Sequence, residues 1–125
     1  MTVLGCHLLL ELKDCNPELL NDLNFIRRTM LTTAHDVGAT VVGESFHHFT
    51  PQGVTGILAI AESHISIHTW PESKYAAIDV FTCGDKMLPE KACEFLSREF
   101  NSQHYSLKSF DRETSIKTDH PNRKF

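Results

Sequence analysis

The stretch AESHISIHTWPE, from Ala61 to Glu72, concentrates side chains that could carry out chemistry. It places Ser63 five residues before His68, and a hydroxyl beside an imidazole can act as a nucleophile with its base. The Gly-x-Ser-x-Gly motif of many hydrolases is absent, however, and no acidic residue is placed by the sequence to orient the histidine. The residue types alone therefore leave two readings open, a reactive serine and a purely structural one.

Four histidines, at positions 47, 48, 64 and 68, raise the question of a metal site. His64 and His68 share one side of a strand, but no carboxylate or cysteine stands at ligand spacing from them. We therefore predict no metal. Cysteines at positions 6, 15, 83 and 93 show no Cys-x-x-Cys spacing, which favours free thiols over a zinc site or a disulfide framework.

The bulk properties of the chain limit its size and its partners. Its 125 residues predict a single domain, 1–125, small enough for a partner subunit to complete it. The formal net charge is −4 and the basic residues form no stripe, so neither nucleic acid nor a membrane is an expected partner. We expect a flexible tail over 111–125. The N-terminal residues lack the features of a signal peptide, so the expected location is cytoplasmic.

Hydrophobic periodicity predicts a mixed fold. Alternating apolar residues from Leu4 to Leu12 indicate a first strand, and apolar residues at three- and four-residue steps indicate one long helix over 17–37. The remaining predicted elements are strands near 39–49, 54–62, 64–70, 76–83 and 104–110, and a helix from about Pro89 to Phe100. This order favours a two-layer α+β sandwich with two helices on one face of an antiparallel sheet.

Strand alternation indicates where a site would lie. In VTGILAIA both parities are apolar, which predicts a strand covered on both faces. In 64–70, by contrast, isoleucines occupy one side, and His64, Ser66, His68 and Trp70 occupy the other, so the polar side should face away from the helices. Ser63 and His68 then point to opposite sides, and they can meet only if the chain bends near Glu62 and Ser63.

Three motifs, FHHFTPQGVTG, ESHISIHTWPE and YAAIDVFTCG, occur in this order. Together they resemble the small prokaryotic form of S-adenosylmethionine decarboxylase, a pyruvoyl-dependent, self-processing family of polyamine synthesis. The resemblance runs from LGCHLLLEL to about Gly84, roughly two thirds of the chain. The resemblance implies decarboxylation of S-adenosylmethionine to the aminopropyl donor for spermidine.

The resemblance also implies the roles of individual residues. Cleavage between Glu62 and Ser63 would give fragments 1–62 and 63–125, and Ser63 would become the pyruvoyl cofactor, which forms a Schiff base with the substrate amine. His68 matches the processing base and Cys83 the proton donor of decarboxylation. Thr55 stands where the family motif GVSG has serine; it keeps a hydroxyl for the oxyanion formed during processing.

The implied substrate site draws on both subunits of a homodimer that contains two copies of each fragment. Phe49 matches the aromatic residue that stacks on adenine, Glu72 matches the carboxylate that binds the ribose hydroxyls, and Trp70 is a further candidate on the polar face. Two other readings stay open. One is a related pyruvoyl-dependent arginine or ornithine decarboxylase, and the other is a non-enzymatic ligand-binding module of the same layout.

Overall fold

The computed structural model describes residues 5–61, 63–82 and 89–112, without the Pro89 side chain. Its elements are, in chain order, β1 Gly5–Lys13, α1 Pro17–Leu20, α2 Leu23–Asp36, β2 Val41–His48, β3 Val54–Ile60, β4 Ser63–Trp70, β5 Tyr75–Thr82, α3 Pro89–Glu99 and β6 His104–Arg112. A 3₁₀ turn over Pro71–Ser73 joins β4 to β5. Each predicted strand is therefore present, with bounds that differ by a few residues.

The six strands form one antiparallel sheet in the order β2-β3-β4-β5-β1-β6. Helix α2 packs on β2 and β3, α1 on β4 and β5, and α3 on β1. A single core lies between these layers and includes Leu10, Ile26, Ile67, Ile78 and Phe100, all fully buried. The predicted α+β sandwich is confirmed; the described residues contain three α-helices, because the first predicted helix is divided.

The predicted helix over 17–37 is interrupted at two successive polar residues, Asn21 and Asp22. Asn16 caps α1, which ends at Leu20, and Asp22 caps α2 by accepting a hydrogen bond from the Phe25 amide at 3.0 Å. Side chains of Asn and Asp compete with helical backbone bonds, so two of them in succession favour a new start over a continuous helix. The prediction of one long helix was wrong for this reason.

The sheet has a covered face, toward the helices, and a second face that none of the described elements covers, which we call the open face. Along β3 the residues Val54, Leu58 and Ile60 are buried against the helices, whereas Ile57 points to the open face and is 42% exposed. The prediction that both faces of this strand are covered is therefore wrong for the single chain. Trp70 and Phe110 lie on the same face and are also exposed, and a group of exposed apolar side chains indicates a surface that a partner could cover.

Strand β6 extends further than predicted. Asp111 and Arg112, which we assigned to the flexible tail, pair with Cys6 and Gly5 of β1, because the antiparallel register continues to the beginning of that strand. Residues 113–125 lie outside the described part of the chain, as do Glu62 and Cys83. Within the described ranges, no helix combines the length and apolarity needed to cross a membrane. The cytoplasmic location stays a prediction.

Candidate active site

Thr55 and His68 form a hydrogen-bonded pair on the open face. They are register partners on β3 and β4, and Thr55 Oγ1 lies 3.0 Å from His68 Nδ1. The imidazole is exposed, so its second nitrogen is available to a group arriving from outside the chain. If Nδ1 carries the proton and donates it to Thr55, then Nε2 is free to accept a proton and the hydroxyl hydrogen is free for another acceptor.

Aromatic rings continue from His68 across the open face. The Trp70 ring lies 6.4 Å from the His68 ring and stacks on Tyr75, with 5.3 Å between centroids and 25° between planes. The Tyr75 hydroxyl donates a hydrogen bond to Glu11 of β1. Burial and this hydrogen bond raise the pKa of Tyr75 to about 12, so the phenol remains a donor even in alkaline solution.

Phe49 lies at the end of β2, 46% exposed, with its ring in a T-shaped contact 4.5 Å from that of His47. Its amide donates to the Gly53 carbonyl at 2.8 Å, which closes the loop between β2 and β3. Gly53 has φ +106, and a Cβ there would lie 3.1 Å from the Thr69 carbonyl oxygen, so glycine suits this position both conformationally and sterically.

Asn21 anchors the same loop, although no motif in the sequence marks it as part of a site. Its Oδ1 accepts a hydrogen bond from the Gly53 amide at 2.9 Å and lies 2.8 Å from His48 Nε2. His48 therefore points to the covered face and does not join His64 and His68 on the open face. The signal that could have revealed Asn21 is the Asn-Asp pair that interrupts the helical periodicity.

Glu72 lies in the 3₁₀ turn directly after β4, with an exposed side chain that follows the buried Pro71. The turn therefore stands at the end of the sheet that also carries the pair of Thr55 and His68. We call this region the histidine end; it comprises Phe49, Thr55, His68, Trp70 and Glu72.

Ser63 lies at the opposite end of β4. It is the first residue of the strand and pairs with Ile60 across the hairpin. The pairing of β4 with β3 continues without a break to His68, so the two residues are roughly 17 Å apart along the strand, given the rise of an antiparallel strand. Alternation also points their side chains to opposite faces. The structure does not bring Ser63 and His68 of one chain together.

The strand register places the end of β5 beside Ser63. His64 pairs with Phe81, one residue before Thr82, where β5 ends. Of the expected bend at Glu62 and Ser63, the structure describes a turn at Ala61 and the start of β4 at Ser63, whereas Glu62 and the candidate proton donor Cys83 lie outside the described residues. We call this region the serine end.

Ionisable groups on the open face surround the serine end. The His64 ring lies 5.7 Å from the Phe81 ring and 6.1 Å from the His7 ring. Burial, reinforced by repulsion from His7, lowers the pKa of His64, which favours a neutral imidazole. The Arg112 guanidinium stands 5.4 Å from the centroid of Phe81, and His7 Nε2 lies 3.7 Å from the Asp79 carboxylate.

Comparisons with known proteins agree with this fold. Residues 6–113 match the family model described as S-adenosylmethionine decarboxylase. The chain is 54% identical over 112 residues to the S-adenosylmethionine decarboxylase proenzyme of Prochlorococcus marinus strain MIT 9313, covering 90% of each protein. It is 55% identical over 112 residues to the proenzyme of the same name from Parasynechococcus marenigrum strain WH8102, covering 90% of this chain and 88% of that protein.

A crystal structure of the adenosylmethionine decarboxylase from Aquifex aeolicus VF5 is also similar, with a TM-score of 0.86 at 28% identity, covering 98% of this chain and all of that one. The chain belongs to the S-adenosylmethionine decarboxylase family. The family and the class of enzyme predicted from the three motifs are thereby confirmed. The roles of individual residues stay predictions.

Proposed function

We propose that this chain cleaves itself before Ser63 and then decarboxylates S-adenosylmethionine in active sites shared by two protomers. The observation that carries the proposal is the separation of the candidate residues into a histidine end and a serine end, roughly 17 Å apart on one uncovered sheet. A second protomer would supply the histidine end that each serine end needs.

The cleavage position suits the fold. Ser63 is the first residue of β4, so a cut before it removes the hairpin connection and leaves both strands whole. The two fragments stay joined by the ladders between β3 and β4, β1 and β5, and β1 and β6. Ser63 also belongs to the terminal pair of its ladder, and such pairs open at low cost in free energy. Opening of this pair would let Ser63 turn from the covered face, where alternation points its side chain, to the open face without loss of the core.

Self-cleavage would convert Ser63 in three steps. The Ser63 hydroxyl adds to the Glu62 carbonyl carbon and the peptide C–N bond breaks, which gives an ester and a free amine. Removal of the Ser63 Cα proton then expels the Glu62 carboxylate, and hydrolysis of the resulting dehydroalanine releases ammonia and leaves a pyruvoyl group on fragment 63–125. That group supplies the electron sink for loss of the substrate carboxylate.

The pair of Thr55 and His68 fits the two demands of this conversion. With the proton on Nδ1, His68 donates to Thr55 and keeps Nε2 as the base for the Cα proton. The Thr55 hydroxyl hydrogen is then directed at the oxyanion that develops when the Glu62 carbonyl is attacked. Both functions are delivered to the Ser63 of the other protomer.

A two-fold axis through the open face completes the arrangement. In an isologous dimer the same surface meets itself, and an axis that lies in the interface perpendicular to the strands would set the serine end of one protomer against the histidine end of its partner, twice. The exposed Ile57 lies on this surface and would be covered. In the same pocket Phe49 stacks on adenine and Glu72 binds the ribose hydroxyls, while Cys83 returns a proton to the substrate carbon.

Complementation between two inactive variants tests the shared site. Ser63→Ala and His68→Ala should each remain uncleaved when expressed alone. When the two are co-expressed at equal levels, the mixed dimer contains one complete site, made of His68 from the first chain and Ser63 from the second. About half of the His68→Ala chains should then be cleaved, because random pairing places half of them in mixed dimers, and no Ser63→Ala chain should be.

Intact mass and denaturing electrophoresis measure this result. As a matched control, His35→Ala on the exposed side of α2 should cleave itself fully. Cleavage of His68→Ala chains expressed alone would contradict the role of His68, and uncleaved chains throughout the mixture would contradict the shared site. Carbon dioxide release from S-adenosylmethionine, arginine and ornithine, assayed in parallel, then tests the substrate: a preference for either free amino acid would overturn it.

A further inference from the structure

The imidazole of His68 is hydrogen-bonded to Thr55 on one neighbouring strand and has only an alanine as its register partner on the other. Thr55 contacts Nδ1 from β3. On β5 its register partner is Ala77, whose methyl group offers little surface for packing. The next position in this row, on β1, is Glu11, which also pairs with Ala77. The row on the open face therefore runs from the imidazole across a small residue to the carboxylate.

Trp70 and Tyr75 lie beside this row. Trp70 follows His68 by two residues, which puts both side chains on the same face of β4. Tyr75 is the register partner of Trp70 and stacks on its indole. The Tyr75 hydroxyl then donates a hydrogen bond to Glu11. A continuous set of contacts thus runs from β1 through β5 to β4 and ends at the His68 ring.

The anchor of this set persists at neutral pH. A phenol keeps its proton at neutral pH and can donate to the Glu11 carboxylate; burial and Glu11 raise the pKa of Tyr75 further, to about 12, so this holds into alkaline solution as well. Trp70, by contrast, is 42% exposed, and its indole stacks on Tyr75. A phenol fixed at its far end is a suitable support for an exposed indole, since it has few rotatable bonds.

We propose that Glu11 and Tyr75 are positioning residues, which fix the Trp70 indole and through it hold the His68 imidazole in the orientation needed for self-cleavage. The inference rests on the proposed function, because it takes His68 as the processing base. It assigns to both residues a task that involves no contact with the reacting atoms.

Two variants remove the anchor while keeping the shape of each side chain. Tyr75→Phe deletes the hydroxyl and keeps the ring, and Glu11→Gln keeps the length of the side chain but removes its charge. The matched control is Tyr105→Phe, which deletes the hydroxyl of the only other tyrosine, located on β6 and half exposed. Each variant is expressed as the full chain and its self-cleavage is followed by denaturing electrophoresis.

We expect Tyr75→Phe to slow self-cleavage by about tenfold, since a misplacement of the order of an ångström at a catalytic group has effects of this size or larger. Glu11→Gln should slow it in the same direction, and Tyr105→Phe should match the unmodified chain. The spectroscopic readout uses the single tryptophan of the chain, Trp70. Its near-ultraviolet circular dichroism, recorded on the uncleaved Ser63→Ala background, should weaken in Tyr75→Phe and Glu11→Gln and not in Tyr105→Phe.

The outcomes separate this inference from the proposed function. A chain without these substitutions that never cleaves overturns the proposed function and the inference with it. Normal cleavage of that chain, together with Tyr75→Phe and Glu11→Gln rates that equal the Tyr105→Phe control, overturns the inference alone. An unchanged Trp70 signal in both variants also overturns it, because the indole would then be fixed by other contacts. If one variant fails to fold, the other decides by the same two measurements.

Discussion

Replacing Thr55 by valine tests the proposed chemistry most sharply. Valine preserves the branched shape of the side chain and its preference for strands, but it removes the hydroxyl that contacts His68 Nδ1 at 3.0 Å. The substitution therefore removes both functions assigned to Thr55, the acceptor that favours the proton on Nδ1 and the donor for the oxyanion. The fold keeps the same packing at that position.

The expected effects on rate and on stability differ greatly in size. Loss of one oxyanion donor slows related reactions by about 100- to 1,000-fold, or roughly 2.7 to 4 kcal/mol of barrier. A hydrogen bond of this kind adds only about 0.5 to 1.5 kcal/mol to the free energy of unfolding, and the open face leaves both groups access to water. Thr55→Val should therefore fold normally and cleave very slowly.

A pulse of cell-free synthesis followed by denaturing electrophoresis measures this rate before cleavage has finished. Thr55→Ser keeps the hydroxyl and loses the γ-methyl group, so it should cleave at least as fast as the unmodified chain. Thr32→Val, on the exposed side of α2, is the matched control and should have no effect. If Thr55→Val cleaves at the rate of that control, the hydroxyl has no part in processing and the reasoning fails.

Two further predictions concern groups outside the reacting set. Burial raises the pKa of Cys15 and of Cys93 from 9.0 to about 11. In the folded protein both should therefore resist alkylation at pH 8 while the partly exposed Cys6 reacts, which peptide mass mapping would show. The raised pKa values should also make the free energy of unfolding fall as the pH rises from 9 toward 11. Asn21→Ala leaves the Gly53 amide without its acceptor, so denaturant unfolding should show that the free energy of unfolding falls by about 1 to 3 kcal/mol. The KM for substrate should also rise. An unchanged free energy of unfolding would show that water replaces the contact.

Much of the fold could be predicted because the deciding patterns are local. Alternation along β1 distinguishes the buried Leu8, Leu10 and Leu12 from the partly exposed His7 and Glu11. The break between α1 and α2 could not be read from apolar spacing, since the helical periodicity continues past it. What stops the helix is the pair of polar side chains at Asn21 and Asp22, one of which bonds to a loop 32 residues further along the chain.

The geometry of the candidate site could be predicted less well than the fold, because it depends on strand register. The odd spacing of Ser63 and His68 correctly indicated that their side chains face opposite sides of the sheet. The spacing could not tell whether the strand bends between them. Register pairing with β3 keeps β4 extended, and the contacts of Tyr75 with Glu11 and Trp70 likewise join residues from three strands that no linear motif connects.

An extended strand explains how one short motif can serve two sites. The eight residues of β4 run from one end of the sheet to the other, so the motif that begins at Ser63 and ends near Glu72 has its first and last members in different places. Residues at the two ends of such a motif are close in sequence but far apart in the structure. If Ser63 meets His68, that His68 belongs to another chain, and the proposed dimer follows from the length of the strand as much as from the exposed apolar surface of β3.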